Sequence, residues 1–426
     1  EEEMPVVGMP RESGSGQGYV DYVLWGKDGL PLAIIEAKRT FKDARQGTYQ
    51  AQLYADCLER MTGRRPIIFN TNGYDYFIWD DQTGPQRRIS SVFSRDDLQR
   101  LVNRRTSRKK LSTVPIDDRI TDRYYQKQAV RAVCAHFEKG HRRALLVMAT
   151  GTGKTRTAAS LTDVLSRGGY VTNTLFLADR TALVHQARDA FKKLLPEMSL
   201  CNLLSNKDDR NARVVFSTYP TMLNMINNER NEDGGRVFTP AHFDLIIVDE
   251  SHRSIFRKYK AIFEYFDAYL VGLTATPRTD VHRSTYEFFE AEKDVPTYAY
   301  DYETAVEQDK VLVPFHNIEV KTKFLTHGIT YDELSPEDKE RYEEDFTDED
   351  GLMPEEIPPP EINKFIFNQD TVDHVINDLM ANGLRDASGN RVGKTIIFAQ
   401  NKNHAQFIVD RFNALYPEFK GTFCRR

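Results

Sequence analysis

The sequence predicts an α/β fold with more than one domain, and three observations lead to this prediction. The chain has 426 residues, enough for about three domains that each bury a core. Near its start, two apolar strands flank a turn signal at Asp28-Gly29. Further on, several short apolar runs are each followed by a polar motif, as in a doubly wound parallel sheet. We expect domains at residues 1–110, 111–297 and 298–426.

Composition indicates a soluble protein of a reducing compartment. Charged residues make up 28% and apolar residues 40%, the net charge is −5, and no apolar run approaches the roughly 18 residues of a membrane span. The four cysteines are scattered and the first residues lack a secretory signal, so we expect a cytoplasmic protein without a membrane contact. The basic run at 104–110 favours a solvated linker over a phosphate-contacting patch, and the acidic stretch at 331–361 is typical of a solvated insertion.

The early hairpin brings like charges together. If Asp28 and Gly29 form a two-residue turn, opposed residues have numbers that add to 57, so Asp21 faces Glu36. Lys38 lies on the same face, one pleat along. Opposed carboxylates repel unless a cation lies between them, and Mg²⁺ with a nearby ammonium suits phosphodiester cleavage. The alternative is a surface hairpin in which Glu36 and Lys38 form a weak ion pair.

These residues resemble the PD-(D/E)xK nuclease superfamily. Asp21 matches its first acid, and the "EAK" stretch at 36–38 matches its ExK element. Gln50 and Tyr54 match the QxxxY pair of the RecB-like branch, in which the pair positions the DNA backbone near the metal. Val20 stands where the family name has proline, and Glu12 is a candidate for the further acid that the opening helix of the family can contribute.

The stretch "MATGTGKT" after a buried strand predicts a phosphate-binding loop. Its glycines let backbone amides wrap phosphates, its lysine reaches the outer phosphates, and its last threonine offers a hydroxyl to Mg²⁺. This is the Walker A arrangement, with Met148 in place of the first glycine. The nucleotide-binding residues are predicted to be Thr150, Gly151, Thr152, Gly153, Lys154 and Thr155.

A second strand ends in two acids, Asp249 and Glu250. In a parallel sheet the ligand crevice lies at the carboxyl ends of the strands. We therefore expect Asp249 to hold Mg²⁺ and Glu250 to orient the attacking water.

In this region the chain resembles superfamily 2 DNA translocases of the helicase type. The motifs are "ATGTGKT", "DESH" and "TATP". The resemblance implies that His252, Thr274 and Thr276 couple the nucleotide state to DNA contact, and that Gln126 reads adenine. It also implies that a DNA strand contacts Arg180 and Thr218, for which turn caps or exposed ion pairs remain the alternative.

The end of the chain resembles the second RecA-like domain of these motors. The run "TIIF" at 395–398 predicts a buried strand before an amphipathic helix, as in motif IV. Motifs V and VI are not in this sequence, so we expect this chain alone to bind ATP but to hydrolyse it poorly. The expected fold is thus α/β: a PD-(D/E)xK endonuclease-like domain, then two RecA-like doubly wound domains, the second truncated.

A nuclease ahead of such a motor resembles the motor and cleavage subunit of type I restriction endonucleases, of which part is present. The resemblance implies ATP and Mg²⁺ as cofactors, and as partners double-stranded DNA together with methyltransferase and specificity subunits. The alternatives are a superfamily 2 remodelling motor whose nuclease-like domain only binds DNA, and an ATPase scaffold of another defence system.

Overall fold

The computed structural model describes two compact units, 1–314 and 315–426. The residues that it describes are 2–9, 17–205, 209–232, 234–249, 258–275, 283–292, 294–315, 329–334, 336, 339–340, 342–343, 354, 356–357, 369–389, 391–399, 401–419 and 421–425. Among them, no helix has the length and the apolar character needed to cross a bilayer.

The amino-terminal part of the first unit is a six-stranded sheet in chain order. All neighbouring strands are antiparallel except β3 and β4, which are parallel. That parallel pair needs a crossover connection, which helix α1 supplies on one face, while α2 covers the other face. The elements are β1 Glu2–Val7, β2 Gln17–Trp25, β3 Pro31–Ala37, α1 Thr48–Thr62, β4 Ile67–Thr71, β5 Tyr76–Trp79, β6 Arg87–Ile89 and α2 Arg95–Ser107.

The β2–β3 hairpin has the predicted register but not the predicted turn. Tyr22 pairs with Ile35, as expected from a sum of 57, but the register shifts between Leu24 and Trp25. Gly26 N donates to Leu30 O at 2.9 Å, so three residues close the loop rather than two. Gly29, at φ +71°, takes the left-handed position of such a loop. The bulge offsets the change in loop length, so Tyr22, Val23 and Leu24 still pair in the predicted register.

The second part of the first unit is a seven-stranded, fully parallel sheet in the order β13-β7-β12-β11-β8-β10-β9. Its strands are β7 Arg143–Met148, β8 Thr174–Ala178, β9 Leu200–Asn202, β10 Val214–Thr218, β11 Leu245–Asp249, β12 Tyr269–Thr274 and β13 Tyr298–Tyr300. Its helices are α3 Tyr124–Glu138, α4 Lys154–Arg167, α5 Thr181–Leu194, α6 Tyr219–Asn227, α7 Lys260–Tyr265 and α8 Arg283–Phe288. The prediction of an α/β fold with a parallel sheet is confirmed here.

The domain boundary predicted at residue 298 is too early. Tyr298–Tyr300 forms the edge strand β13, which pairs with β7. Beyond it, Asp309 accepts hydrogen bonds from Tyr124 and Tyr300, both at 2.6 Å. The first compact unit therefore extends to Pro314.

Ion pairs join the two parts of the first unit at the amino ends of the parallel strands. Arg104 Nη1 donates to Asp244 Oδ1 at 2.6 Å, and both residues are buried. Arg87 Nη2 donates to Asp267 Oδ2 at 2.6 Å, and Arg142 bonds the other oxygen of Asp267 at 3.0 Å. Burial alone would raise the pKa of Asp267, but the charges of Arg142 and Arg87 hold it well below its usual value.

This contact corrects the interpretation of the basic run at 104–110 as a solvated linker. Arg104 and Arg105 belong to α2, and the side chain of Arg105 bonds Asp80 at 3.1 Å. The guanidinium of Arg108 lies 4.7 Å from the ring centroid of Tyr170. All three arginines therefore make contacts within the protein: α2 carries Arg104 and Arg105, and Arg108 directly follows the last residue of this helix.

The second unit contains helices α9 Gln369–Asn382 and α10 Lys402–Leu415, which pack through Val372, Ile376, Ile408 and Phe412. In its described residues, the strands are the two-residue pair β14 Ile329–Thr330 and β15 Glu356–Ile357. The predicted buried strand at 395–398 is wrong: the segment is not in a strand, and Ile396 and Phe398 are 80% and 91% exposed. No described strand of this unit lies alongside to cover it, so a second doubly wound domain is not observed in the described residues.

The acidic stretch at 331–361 is partly described. Tyr342 is fully buried, its hydroxyl donates to Pro354 O at 2.8 Å, and its ring contacts Tyr331. The described part of this stretch therefore has a small packed core, which a purely solvated insertion would lack.

Candidate active sites

Asp21, Glu36 and Lys38 lie on one face of the six-stranded sheet. Val23 pairs with Ile34, and both side chains are buried in the core under α1. Because side chains alternate along a strand, the residues two positions further, Asp21 and Glu36, face the same way. The predicted convergence of these side chains is therefore observed.

The contacts of the two carboxylates differ. Asp21 Oδ2 accepts a hydrogen bond from Ala37 N at 2.7 Å. Glu36 is only 3% exposed, and its Oε1 accepts from Lys38 Nζ at 2.6 Å. Its other oxygen, Oε2, is buried and has no hydrogen-bond partner. A buried carboxylate oxygen without a partner is costly, which marks the position where a cation or a donor would be stabilised.

Burial raises the pKa of Glu36 above its usual value. The hydrogen bond from Lys38 opposes this rise, and the charge of Asp21 adds to it. The rise in pKa indicates that burial and the neighbouring carboxylate together outweigh the lysine. The carboxylate of Glu36 therefore lacks part of the positive charge that would balance it.

Helix α1 supplies the remaining predicted residues of this site. Lys38 Nζ lies 3.4 Å from Gln50 Oε1, and Gln50 Nε2 donates to the hydroxyl of Tyr54 at 2.6 Å. Gln50 and Tyr54 are four residues apart and so share one side of the helix. A continuous chain of contacts thus runs from Glu36 through Lys38 and Gln50 to Tyr54.

Two glycines that the sequence did not mark as part of this site, Gly47 and Gly18, allow the close approach of its side chains. A Cβ atom on Gly47 would lie 2.7 Å from Glu36 Cγ and 2.7 Å from Lys38 Cε. A Cβ atom on Gly18 would lie 2.7 Å from the ring of Tyr54. No sequence signal distinguishes them from turn glycines, because the clash is with side chains distant in sequence.

The donor set of this site fits a hard cation. Mg²⁺ binds through one or two carboxylates and keeps several waters or substrate oxygens as its other ligands. Asp21 and Glu36 provide two carboxylates, one with the unpartnered buried oxygen. Within the described residues, no cluster of three or more His, Cys, Asp or Glu side chains occurs that could hold a metal without such help.

The predicted phosphate-binding loop connects β7 to α4, which begins at Lys154 as expected. Gly151 and Gly153 have φ angles of +87° and +91°, which only glycine adopts readily. Thr152 is buried, and its hydroxyl donates to Ala149 O at 2.6 Å. Thr150 and Gly151 are exposed at the loop tip, and Lys154 and Thr155 are half-buried in the first turn of the helix. The loop thus opens at a helix amino terminus, where backbone amides favour an anion.

Gln126 contacts the loop itself. It is buried, accepts a hydrogen bond from the Thr121 hydroxyl, and donates from Nε2 to Thr152 O at 2.8 Å. Tyr125 also donates to Thr152 O, at 3.1 Å. In this conformation Gln126 braces the loop, and its contact with adenine stays a prediction.

Asp249 and Thr274 lie at the carboxyl edge of the same sheet, near the loop. Asp249 pairs with Leu273 and Thr274 with Val147, so β12 separates the acid from the strand that leads into the loop. Thr274 is fully buried, and its hydroxyl has no hydrogen-bond partner. The parallel topology therefore brings Asp249 to the edge that carries the loop.

The two residues expected to touch DNA differ in accessibility. Arg180 has a side chain that is 80% exposed and lies 3.6 Å from Asp179. Thr218 is buried at the start of α6, with its hydroxyl 3.0 Å from that of Thr221. Arg180 is positioned for a contact with solvent or a ligand, whereas Thr218 has little surface in this conformation.

Four predicted residues lie outside the described part of the chain, namely Glu12, Glu250, His252 and Thr276.

Two family models match the sequence. The model "Type I restriction enzyme R protein N terminus" matches residues 7–87, which contain the Asp21 and Glu36 site. The model "Type III restriction enzyme, res subunit" matches residues 119–279, which contain the phosphate-binding loop and Asp249.

Curated relatives match across both parts. The EcoAI endonuclease subunit of a type I restriction enzyme from Escherichia coli is 29% identical over 93% of this chain and 48% of its own length. The chain is thus similar in sequence to type I restriction endonuclease subunits. The EcoKI endonuclease subunit from Escherichia coli K12 is 25% identical over 96% of this chain and 40% of its own length. The chain thus spans about half or less of the length of these subunits.

Among solved structures, a fragment described as an HsdR subunit of a type I restriction enzyme from Vibrio vulnificus YJ016 is 21% identical. The match covers 99% of this chain and 71% of the chain in that structure, with a TM-score of 0.45. The relationship to type I endonuclease subunits is carried by the sequence matches.

Proposed function

We propose that this chain is the ATP-driven, DNA-translocating and Mg²⁺-dependent DNA-cleaving part of a type I restriction endonuclease subunit. Together with methyltransferase and specificity subunits in the cytoplasm, it cleaves unmodified double-stranded DNA away from the recognition site. The chain spans about half or less of the length of its curated relatives. The activity of a whole subunit is therefore also proposed here.

The arrangement around Glu36 carries the cleavage half of the proposal. Two carboxylates on one sheet face, a lysine at 2.6 Å from one of them and a buried oxygen without a partner form a set that a binding surface does not require. Retaining such a set costs stability, as expected where a site is built for chemistry rather than for folding.

The residues of this site have distinct roles. Asp21 and Glu36 would hold Mg²⁺, which supplies an activated water and neutralises charge on the phosphate. Lys38 presents its ammonium beside Glu36, where it stabilises negative charge that develops on the attacked phosphate. Gln50 and Tyr54 fix the position of that ammonium through the contacts at 3.4 and 2.6 Å.

The ATPase half rests on the loop at the amino end of α4. Lys154 and the backbone amides bind the phosphates, and Asp249 holds the associated Mg²⁺, which its position at the same edge of the sheet supports. Glu250, His252, Thr274 and Thr276 are proposed to complete hydrolysis and its coupling to DNA. Arg180, which directly precedes α5 and has an exposed side chain, is proposed as a DNA contact.

A plasmid cleavage assay with the full subunit and its partner subunits tests the proposal. We expect Asp21→Asn to abolish cleavage while ATP hydrolysis continues, and Lys154→Ala to abolish ATP-dependent translocation. Asp56→Asn is the matched control, because Asp56 is an acid of the same part that only pairs with Arg65. It should cleave like the unchanged protein.

Two outcomes would overturn parts of the proposal. If Asp21→Asn still cleaves, the site is assigned wrongly. If the unchanged complex moves along DNA but never cuts it, the alternative of a remodelling motor with a DNA-binding nuclease-like domain is correct.

A further inference from the structure

Two exposed aromatic rings project from loops beside the Lys38 site. Phe41 follows Lys38 by three residues and is 77% exposed. Tyr74, in the turn between β4 and β5, is 79% exposed. We call Phe41 and Tyr74 the aromatic rim.

The two loops of the aromatic rim are bonded to each other. Lys38 N donates to Thr71 O at 2.7 Å, and Asn72 Nδ2 donates to Lys42 O at 3.0 Å. Asn72 Oδ1 also accepts from Tyr74 N at 3.1 Å. Hydrogen bonds therefore hold the two loops that expose these rings.

The same segment is rich in positive charge. Residues 38–45 contain four basic residues and one acid, in a chain whose net charge is −5. That acid, Asp43, is already paired with Arg45 at 2.9 Å. Arg39 and Lys42 are exposed on either side of Phe41. A ring flanked by two cations suits a polyanion with flat, apolar groups.

We propose that the aromatic rim holds a DNA strand with unstacked bases against the Lys38 site. Bases stack on Phe41 and Tyr74, while Arg39 and Lys42 bind the flanking phosphates. A base inside a regular duplex has no free face, so the rim selects a single strand or a locally opened duplex. This inference rests on the proposed nuclease function and names the DNA form that its site receives.

The first test locates the strand by photo-crosslinking. The full chain carrying Glu36→Gln, which prevents cutting, is irradiated with an oligonucleotide that contains 5-iodouracil, and the crosslinked residue is mapped by mass spectrometry. We expect crosslinks at Phe41 or Tyr74. Crosslinks confined to other residues would overturn the proposal, even if the chain binds DNA through its motor part.

The second test separates stacking from simple apolar contact. In the same background, Phe41→Ala and Phe41→Leu should each reduce the crosslink yield at Tyr74 and weaken single-strand binding about 5- to 100-fold. Phe41→Trp should preserve both. Phe398→Ala is the matched control, because Phe398 is a similarly exposed ring in the second unit.

Three results have distinct meanings. If Phe41→Leu binds the strand as tightly as phenylalanine does, stacking is excluded and the proposal fails. If Phe41→Ala leaves DNA binding intact but prevents assembly with the partner subunits, the rim is a protein-docking surface and the proposal fails. If the rim captures DNA in a chain that never cuts, the proposed nuclease function fails while DNA capture by the rim stands.

Discussion

Glu36 has one carboxylate oxygen bound by Lys38 and the other buried without a partner. Its raised pKa means that the Glu36 carboxyl group holds its proton more tightly in the folded protein than in the unfolded chain. Glu36 therefore favours folding most at pH values below its usual pKa of 4.5, and this contribution is lost as the pH rises through the folded pKa. A cation bound to the ionised carboxylate of Glu36 would offset the cost of burying its charge.

A prediction at this scale concerns the pH dependence of metal binding. Because the carboxylate must lose its proton to bind Mg²⁺, the affinity for Mg²⁺ should begin to fall at a higher pH than an ordinary glutamate would cause. Lys38→Met removes the hydrogen bond that lowers the pKa of Glu36, so it should move this fall to still higher pH. Calorimetric titration with Mg²⁺ over the acid range measures both effects, and a fall that moves to lower pH in Lys38→Met would contradict the assignment.

Residue patterns identified the charged groups of this site but not the two glycines, Gly18 and Gly47, that allow its side chains to approach closely. The convergence of Asp21, Glu36 and Lys38 was predictable because the turn signal and strand alternation are local properties of the sequence. Gln50 and Tyr54 were named from the resemblance to the RecB-like branch. The close approach of α1 at Gly47 depends on how the helix packs on the sheet, which no local pattern records.

At the scale of elements, the spacing between α1 and β3 is set by Gly47. Gly47→Ala should force Glu36 and Lys38 apart and reduce plasmid cleavage about 10- to 100-fold, since small misplacements of reacting groups are expensive. Its backbone, at φ −90°, accepts alanine, so the fold should survive with a cost of about 1–3 kcal/mol for overpacking.

Gly84→Ala is the control for this variant, because a Cβ at Gly84 meets no atom within 4 Å. It should cleave normally. Thermal unfolding followed by circular dichroism separates a misplaced site from a lost fold. Equal cleavage by the two alanine variants would show that the packing of α1 does not position the site.

The hairpin and the segment at 395–398 show how far local patterns predict elements. The hairpin register was predictable, because the apolar faces of two adjacent strands must match. The exposure of Ile396 and Phe398 was not predictable, because an apolar run is buried only where other elements cover it.

The exposed segment at 395–398 should make the isolated chain self-associate. Three consecutive exposed apolar residues, Ile396 to Phe398, can pair with a second copy. Ile396→Lys should lower the concentration dependence of the mass measured by light scattering. Ile376→Val, a mild change in a buried position, should not. An unchanged mass profile in Ile396→Lys would exclude this surface.

At the scale of the molecule, the amino-terminal part of the first unit contacts the parallel sheet at the edge opposite to the predicted phosphate-binding loop. Asp244 and Asp267 precede β11 and β12, whereas the loop follows β7. The contacts join residues up to 180 positions apart, such as Arg87 and Asp267. Sequence patterns cannot predict such pairs, and the arginines of α2 were taken for a linker for that reason.

Breaking the buried ion pair between Arg104 and Asp244 should destabilise the contact between the two parts of the first unit. Arg104→Met leaves Asp244 buried without its counter-ion, at a cost of about 3–5 kcal/mol, which should lower the unfolding temperature. Arg104→Lys should not restore it, because lysine cannot bond both oxygens of Asp244 and the Thr172 hydroxyl in one plane. Arg88→Met, which removes an exposed pair with Asp75, is the control and should change stability little. Full stability of Arg104→Lys would contradict the bidentate role.

The ion pairs of Asp244 and Asp267 join the amino-terminal sheet to the parallel sheet within one compact unit. Under the proposed function, a cleavage site held in this way would cut DNA at a fixed distance from the motor. The position of each new DNA end would then report where the motor had stopped.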